Sequence, residues 1–158
     1  MARAATSCSH CPAKAQSAYL AGNSRAAKAY RRCMTHARQR LGRIAEAEVA
    51  ARLRRDGWRI VERNARTRFG ELDLIGLDGD ALVFVEVKAG HAGASGGPAH
   101  PVLAVGPAKQ RRVRALAGAW LAGQRLIPAH RLIRFDAVGV LFDRGGNLLD
   151  VEHVRDAF

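Results

Sequence analysis

The sequence predicts an α/β domain over residues 41–158, a mixed central sheet flanked by helices, preceded by a helical extension over residues 1–40. Three observations predict it. Val49, Ala50 and Leu53 repeat at helical spacing and are followed by apolar, strand-like runs. Two of those runs are joined by a tight turn, which makes them antiparallel neighbours. A second helical pattern and a further alternating run then follow, so strands and helices alternate along the chain in two or three layers.

The elements follow in order. Helix-forming residues dominate from Ala13 to Arg40, broken at Ala21-Gly22-Asn23-Ser24, which predicts two short helices, the second running toward the domain. Arg43 to Arg55 is an amphipathic helix closed by Asp56-Gly57. Trp58 to Glu62 is a short strand, and Arg63 to Arg68 a basic connection. Strands at about 70–77 and 81–88 flank Asp78-Gly79-Asp80, which has hairpin-turn chemistry. Gly90 to Gly106 is rich in Gly, Ala and Pro and reads as a long loop. Pro107 opens a helix, where its missing N–H has no consequence. Val113, Leu116, Ala117, Trp120 and Leu121 form that helix's core face. Leu132 to Phe142 alternates as a strand, Asp143 to Asn147 is a turn, and Leu148 to Val151 is a last short strand.

Composition narrows the class. The 158 residues are 48% hydrophobic and 25% charged, a globular composition with room for one core. No apolar run approaches the roughly 20 residues that span a bilayer. The first residues lack a secretory apolar segment, and three cysteines fit a reducing compartment, so the sequence reads as cytoplasmic. Twenty-six Lys and Arg stand against 14 Asp and Glu, for a net charge of +12. Arginine forks suit phosphate oxygens, and nucleic acid is the expected partner.

The chemistry concentrates in the hairpin. Glu71-Leu72-Asp73-Leu74-Ile75 and Phe84-Val85-Glu86-Val87-Lys88 are apolar strands that carry charges in their interiors. A carboxylate in a sheet is costly unless it is paired, hydrogen-bonded or holding a metal. With a Gly79-Asp80 loop, cross-strand numbers sum to 159 and Asp73 faces Glu86. With an Asp78-Gly79 loop they sum to 157, and Glu86 lies diagonal to Asp73. Because side chains alternate, Asp73, Glu86 and Lys88 share a face in either register. A three-residue loop would break that parity unless a bulge restored it. Asp73 and Glu86 can supply hard oxygens to magnesium, Lys88 can orient water or stabilise a pentavalent transition state, and Glu71 is a reserve ligand. Glu46 lies on the inward face of its helix, where it can add an acid at the rim. The competing reading is a polar sheet face on which Glu86 and Lys88 pair with each other. Arg63, Arg66, Arg68, Lys109, Arg111, Arg112 and Arg114 are candidate phosphate contacts.

These motifs together resemble the YraN family of bacterial proteins. The resemblance runs from about Gly42 to Phe158. It is carried by Glu46-x-x-x-Ala50-x-x-Leu53-x-x-x-Gly57, Arg63-Asn64-Ala65-Arg66, Gly70-Glu71-Leu72-Asp73-Leu74-Ile75, Phe84-Val85-Glu86-Val87-Lys88, Lys109 before a basic helix, and Arg134-Phe135-Asp136. That family is similar to restriction-endonuclease-like folds and to archaeal Holliday-junction resolvases. The resemblance implies a restriction-endonuclease-like core, with Glu46, Asp73, Glu86 and Lys88 at the acidic and lysine positions and magnesium as cofactor. It implies DNA hydrolysis, with branched DNA among the substrates, and a homodimer as the resolvases form. The alternative is a nucleic-acid-binding protein that keeps the fold without catalysis. Two departures stand out. Leu72 replaces the proline often found before the first acid, and Ala89-Gly90-His91 lacks the basic residue common after Glu-x-Lys.

Outside the resemblance, Cys8 and Cys11 with Cys33 and His36 make C-x2-C followed by C-x2-H, a donor set that tetrahedral zinc can use. The competing reading is three scattered cysteines in an extension.

Overall fold

A computed structural model describes residue 17, residues 24–93 and residues 101–158. Helix α1 (Ser24–Arg55) leads into strands β1 (Arg59–Thr67), β2 (Gly70–Asp78) and β3 (Ala81–His91). A 3-10 turn (Pro101–Ala104), helix α2 (Pro107–Gly123) and strands β4 (Leu132–Phe142) and β5 (Leu148–Val154) follow. The strands form one sheet in sequence order, antiparallel throughout except for the parallel β3–β4 pair.

Alternation along β3 decides the layering. Ala81, Val83, Val85 and Val87 pack with Ala45, Val49, Ala50 and Leu53 of α1. Leu82 and Phe84 pack with Val113, Leu116, Ala117 and Trp120 of α2. One helix therefore covers each face, and the mixed α/β sheet is the middle of three layers. A strand apolar on both sides is what such burial requires.

Several elements differ in extent from the sequence reading. α1 is continuous from Ser24 through Arg55, because Arg25 to Arg43 contains neither proline nor an internal run of helix breakers, and it passes without interruption across residues 40 and 41. Of the basic 63–68 segment, residues 63–67 are the second half of β1 rather than a connection, and Arg68 begins the turn to β2. β1 is an edge strand, so its arginines point to solvent while Ala65 is fully buried. β5 extends three residues beyond Val151. The hairpin register sums to 159, with Leu74 opposite Val85 and Asp78 opposite Ala81, so Gly79-Asp80 is the loop; Gly79 takes a positive φ of 61° there.

Close approach fixes one glycine. A Cβ on Gly139 of β4 would lie 2.7 Å from the backbone nitrogen of Val102 in the 3-10 turn. Gly139→Ala is expected to cost about 1–3 kcal/mol through overpacking, read as a lower urea midpoint. An unchanged midpoint would mean that the turn does not seat on β4.

Candidate active site

The site forms where β2 leaves β3. Their ladder stops at Leu74–Val85; beyond it, β2 pairs with β1 and β3 pairs with β4. The cause lies in the β1–β2 ribbon. The Arg63–Leu74 and Ala65–Leu72 pairs bracket Asn64, whose φ of 51° is left-handed, a conformation asparagine tolerates better than most residues. The ribbon rotates there. Leu72 joins the α2 core and Leu74 the α1 core, although strict alternation would put both on one side. Asp73 sits at the rotation, off the ladder, and its Oδ2 accepts the backbone N–H of Val87 at 2.8 Å. Its carboxylate thus bridges the fork.

Glu86 is 2% exposed, on the α2 side of β3. Its Oε1 is ion-paired with Lys88, two residues on along the same strand face, and with Lys109 from the first turn of α2 at 2.9 Å. Glu46 reaches the fork from α1, half-buried, hydrogen-bonded to the Asn64 side chain, with its Oε2 buried and lacking a protein partner. Burial raises the Glu46 pKa, the Asn64 contact opposes this, and the nearby Glu71 carboxylate adds to it. Asp73 is pushed up to about 7, first by burial and then by the Glu86 carboxylate; the Val87 N–H opposes the shift, Glu46 adds to it and Lys88 offsets part of it. Asp73, Glu86, Glu46 and Lys88 are therefore one electrostatic cluster drawn from α1, β2 and β3.

Among the described residues, no three Asp, Glu, His or Cys side chains meet closely enough to hold a metal. Asp73 and Glu86, whose carboxylates act on each other, are the acids that would hold a cation at the fork. Two close, mutually repelling carboxylates with hard oxygens suit magnesium, which takes one or two carboxylates and completes its shell with water. The donor set fits.

The remaining sequence candidates fall into groups. Arg63, Arg66 and Arg68 are exposed on the outer half of β1 and its turn, and Arg111 and Arg112 are exposed on α2. Arg114 stacks over Phe135 and Phe158, at 5.8 and 5.7 Å. Lys109 points at Glu86 and so belongs to the acidic cluster. Glu71 is exposed. Of the zinc candidates, Cys33 and His36 stand three residues apart on α1, and Cys8 and Cys11 lie outside the described residues.

Sequence reasoning missed a second polar centre, under the α1 layer. Asp136, fully buried, accepts Nε and Nη2 of Arg134 at 2.9 and 3.1 Å, is contacted by His153 Nε2 at 2.8 Å, and accepts the Asp156 N–H at 3.0 Å. Arg134 also donates to Asp78 at 2.8 Å and lies 5.4 Å from the Trp58 ring. Burial pushes the Asp136 carboxyl up, but the His153, Arg134 and Asp156 contacts together hold it below the usual range. The signal in the sequence was Arg134-x-Asp136 on one strand face; the partners come from β2 and β5, which local spacing does not reach. This centre ties β4 to the β2 end and the C-terminal segment, and lies on the sheet face opposite Glu86.

Among the described residues no helix is long and apolar enough to cross a membrane. Comparison with known sequences agrees with the motifs. A relative from Anaeromyxobacter dehalogenans, named only as a UPF0102 protein, is 49% identical over 121 residues, 77% of this chain and 85% of the relative. Another from Streptomyces griseus is 45% identical over 76% of this chain and 97% of its own length. A third, from Pelotomaculum thermopropionicum, is 42% identical and is matched along 100% of its length. Residues 45–140 match the sequence model of the uncharacterised protein family UPF0102, the same family as YraN, and span Glu46, Asp73, Glu86, Lys88 and the Arg134–Asp136 pair. The chain belongs to the UPF0102 family.

Proposed function

We propose that the protein is a magnesium-dependent endonuclease-like enzyme acting on DNA, with branched DNA among its substrates. The observation that carries this reading is the fork, which gathers Asp73, Glu86 and Lys88 with Glu46 at its rim. A magnesium ion held by Asp73 and Glu86 would activate water and counter the charge growing on phosphorus. Lys88, half-buried beside Glu86, keeps an ammonium within reach of an attacking water or a phosphoryl oxygen. The Val87 N–H fixes Asp73, and Lys109 holds Glu86 from the other layer. Glu46, with one buried oxygen lacking a protein partner, can accept a proton or a hydrogen bond from water at the rim. The cationic surface supplies the phosphate contacts. Arg25, Lys28, Arg31, Arg32, Arg38, Arg40 and Arg43 precede the first acid of α1, Glu46, and extend that charge away from the fork.

One observation favours a second reading, a nucleic-acid-binding protein without catalysis: Glu86 already carries two lysine partners. Cleavage assays on branched, duplex and single-stranded DNA with magnesium separate the two. The nuclease reading expects cutting that needs the metal and drops about a hundredfold or more in Glu86→Ala, since loss of a residue that only supports a metal ligand already costs about ten- to a hundredfold. Tight binding with no cutting of any substrate would favour the second reading.

A further inference from the structure

The β1–β2 turn is Arg68-Phe69, between the paired Thr67 and Gly70. Thr67 closes it, its hydroxyl donating to the Gly70 carbonyl at 3.1 Å and accepting the Phe69 N–H at 3.2 Å. Phe69 is 56% exposed, and it is the one aromatic among the large exposed hydrophobic side chains of the described residues. An exposed ring at a turn contributes little to a core, and one exposed apolar side chain is ordinary by itself; what marks Phe69 is the groove and the arginines beside it. The Arg68 guanidinium lies 4.5 Å from the ring centre, which holds the ring beside a cation. Beneath it, a groove of about 550 Å³ runs between the turn and the C-terminal half of α2, floored by Trp120 and the small side chains Ala115, Ala119 and Ala122. Arg66 and Arg68 line the same groove, and the Arg112 guanidinium comes within 3.0 Å of where a Cβ on Gly70 would stand. Gly70, at φ 143°, makes that approach feasible. An exposed aromatic ring over an apolar groove, with guanidinium groups beside it, is complementary to a planar base flanked by phosphates.

We propose that Phe69 and this groove take an unpaired nucleobase, with Arg66, Arg68 and Arg112 on its flanking phosphates, so that the protein prefers nucleic acid in which a single strand adjoins a duplex. This deepens the proposed function and rests on nucleic acid being the partner. Occupancy of the groove positions single-strand character beside the enzyme and does not require the fork to be catalytic.

The test is binding of a blunt DNA duplex, and of the same duplex carrying a single-stranded tail, by the full chain at one fixed salt concentration, with an RNA-tailed duplex as a further arm. The wild type is expected to prefer the tailed forms. Phe69→Ala is expected to lose about tenfold to a hundredfold on the tailed forms, the size of one stacked base, with blunt binding unchanged. Phe69→Trp is expected to restore the preference, and its added fluorescence to be quenched by a single strand. Phe69 is exposed at a turn, so Phe69→Ala leaves the core intact, and circular dichroism checks this. An equal loss on blunt and tailed duplexes, or no loss on either, overturns the inference while leaving the nuclease reading intact. Absence of binding to every substrate overturns both.

Discussion

Asp136→Ala is expected to destabilise the protein by about 3–5 kcal/mol, the cost of removing one partner of a buried ion pair. That is a large share of the 5–15 kcal/mol typical of a whole domain. The size follows from what is left behind. Arg134 is 16% exposed and would lose both its bonds to the carboxylate, keeping only Asp78. His153 and the Asp156 N–H would lose their acceptor as well. The pH dependence has a definite sign. A carboxyl held below its usual value stabilises the fold above the unfolded pKa near 3.8, and that contribution disappears as pH falls through the lowered value. The gap between wild type and Asp136→Ala should therefore be constant from neutral pH down to mildly acidic solution and close only in strong acid. Guanidinium unfolding at several pH values measures it. A loss below about 1 kcal/mol would mean that Arg134 finds compensating partners and that the network is not what joins β4 to the C-terminal segment.

Asp73→Asn is expected to act in the opposite direction on the metal-free fold while removing metal affinity. With its folded pKa raised to about 7 against 3.8 unfolded, Asp73 contributes no penalty where both states are protonated. The unfolded chain ionises first as pH rises, so stability falls between about 4 and 7 and levels off above. Asparagine keeps an acceptor for the Val87 N–H and carries no charge. The metal-free variant should be more stable than wild type by a few kcal/mol at pH 8, as burial and Glu86 no longer act on a charge, and the difference should vanish near pH 4. In wild type, magnesium must displace the Asp73 proton below pH 7, so its affinity should rise with pH and then level. A variant less stable than wild type at pH 8 would show that Asp73 is held by compensating interactions and is not under repulsion.

Much of this geometry was legible because strands alternate. Asp78-Gly79-Asp80 limits the loop, both two-residue registers put Asp73, Glu86 and Lys88 on one face, and the 159 register is the one adopted. The departure at Asp73 was not legible. It depends on Asn64, which as one letter in a basic stretch gives no sign that its left-handed φ rotates the ribbon. Asp73 therefore meets the Val87 N–H rather than standing opposite Glu86 in the ladder. The same arginine-rich stretch concealed the second half of β1, because an edge strand can put every arginine in water while Ala65 carries its buried face. Lys109 read as a phosphate contact, and only the packing of α2 across β3 brings it to Glu86. The Asp136 centre needed the parallel β3–β4 register and β5 together, and neither follows from residues near each other in sequence. The family match rests on the motifs themselves, which lie in the stretches where local pattern and tertiary position agree.

The proposed activity requires Asp73 and Glu86 to hold a divalent cation at the fork. Calorimetric titration of magnesium, with manganese as a tighter-binding substitute, into the metal-free chain at pH 8 tests it most directly. The account predicts one cation per chain, with the binding heat lost in Asp73→Ala and in Glu86→Ala while both variants keep the wild-type circular dichroism. Binding that is unchanged in the two variants, or absent from the wild type, would contradict it.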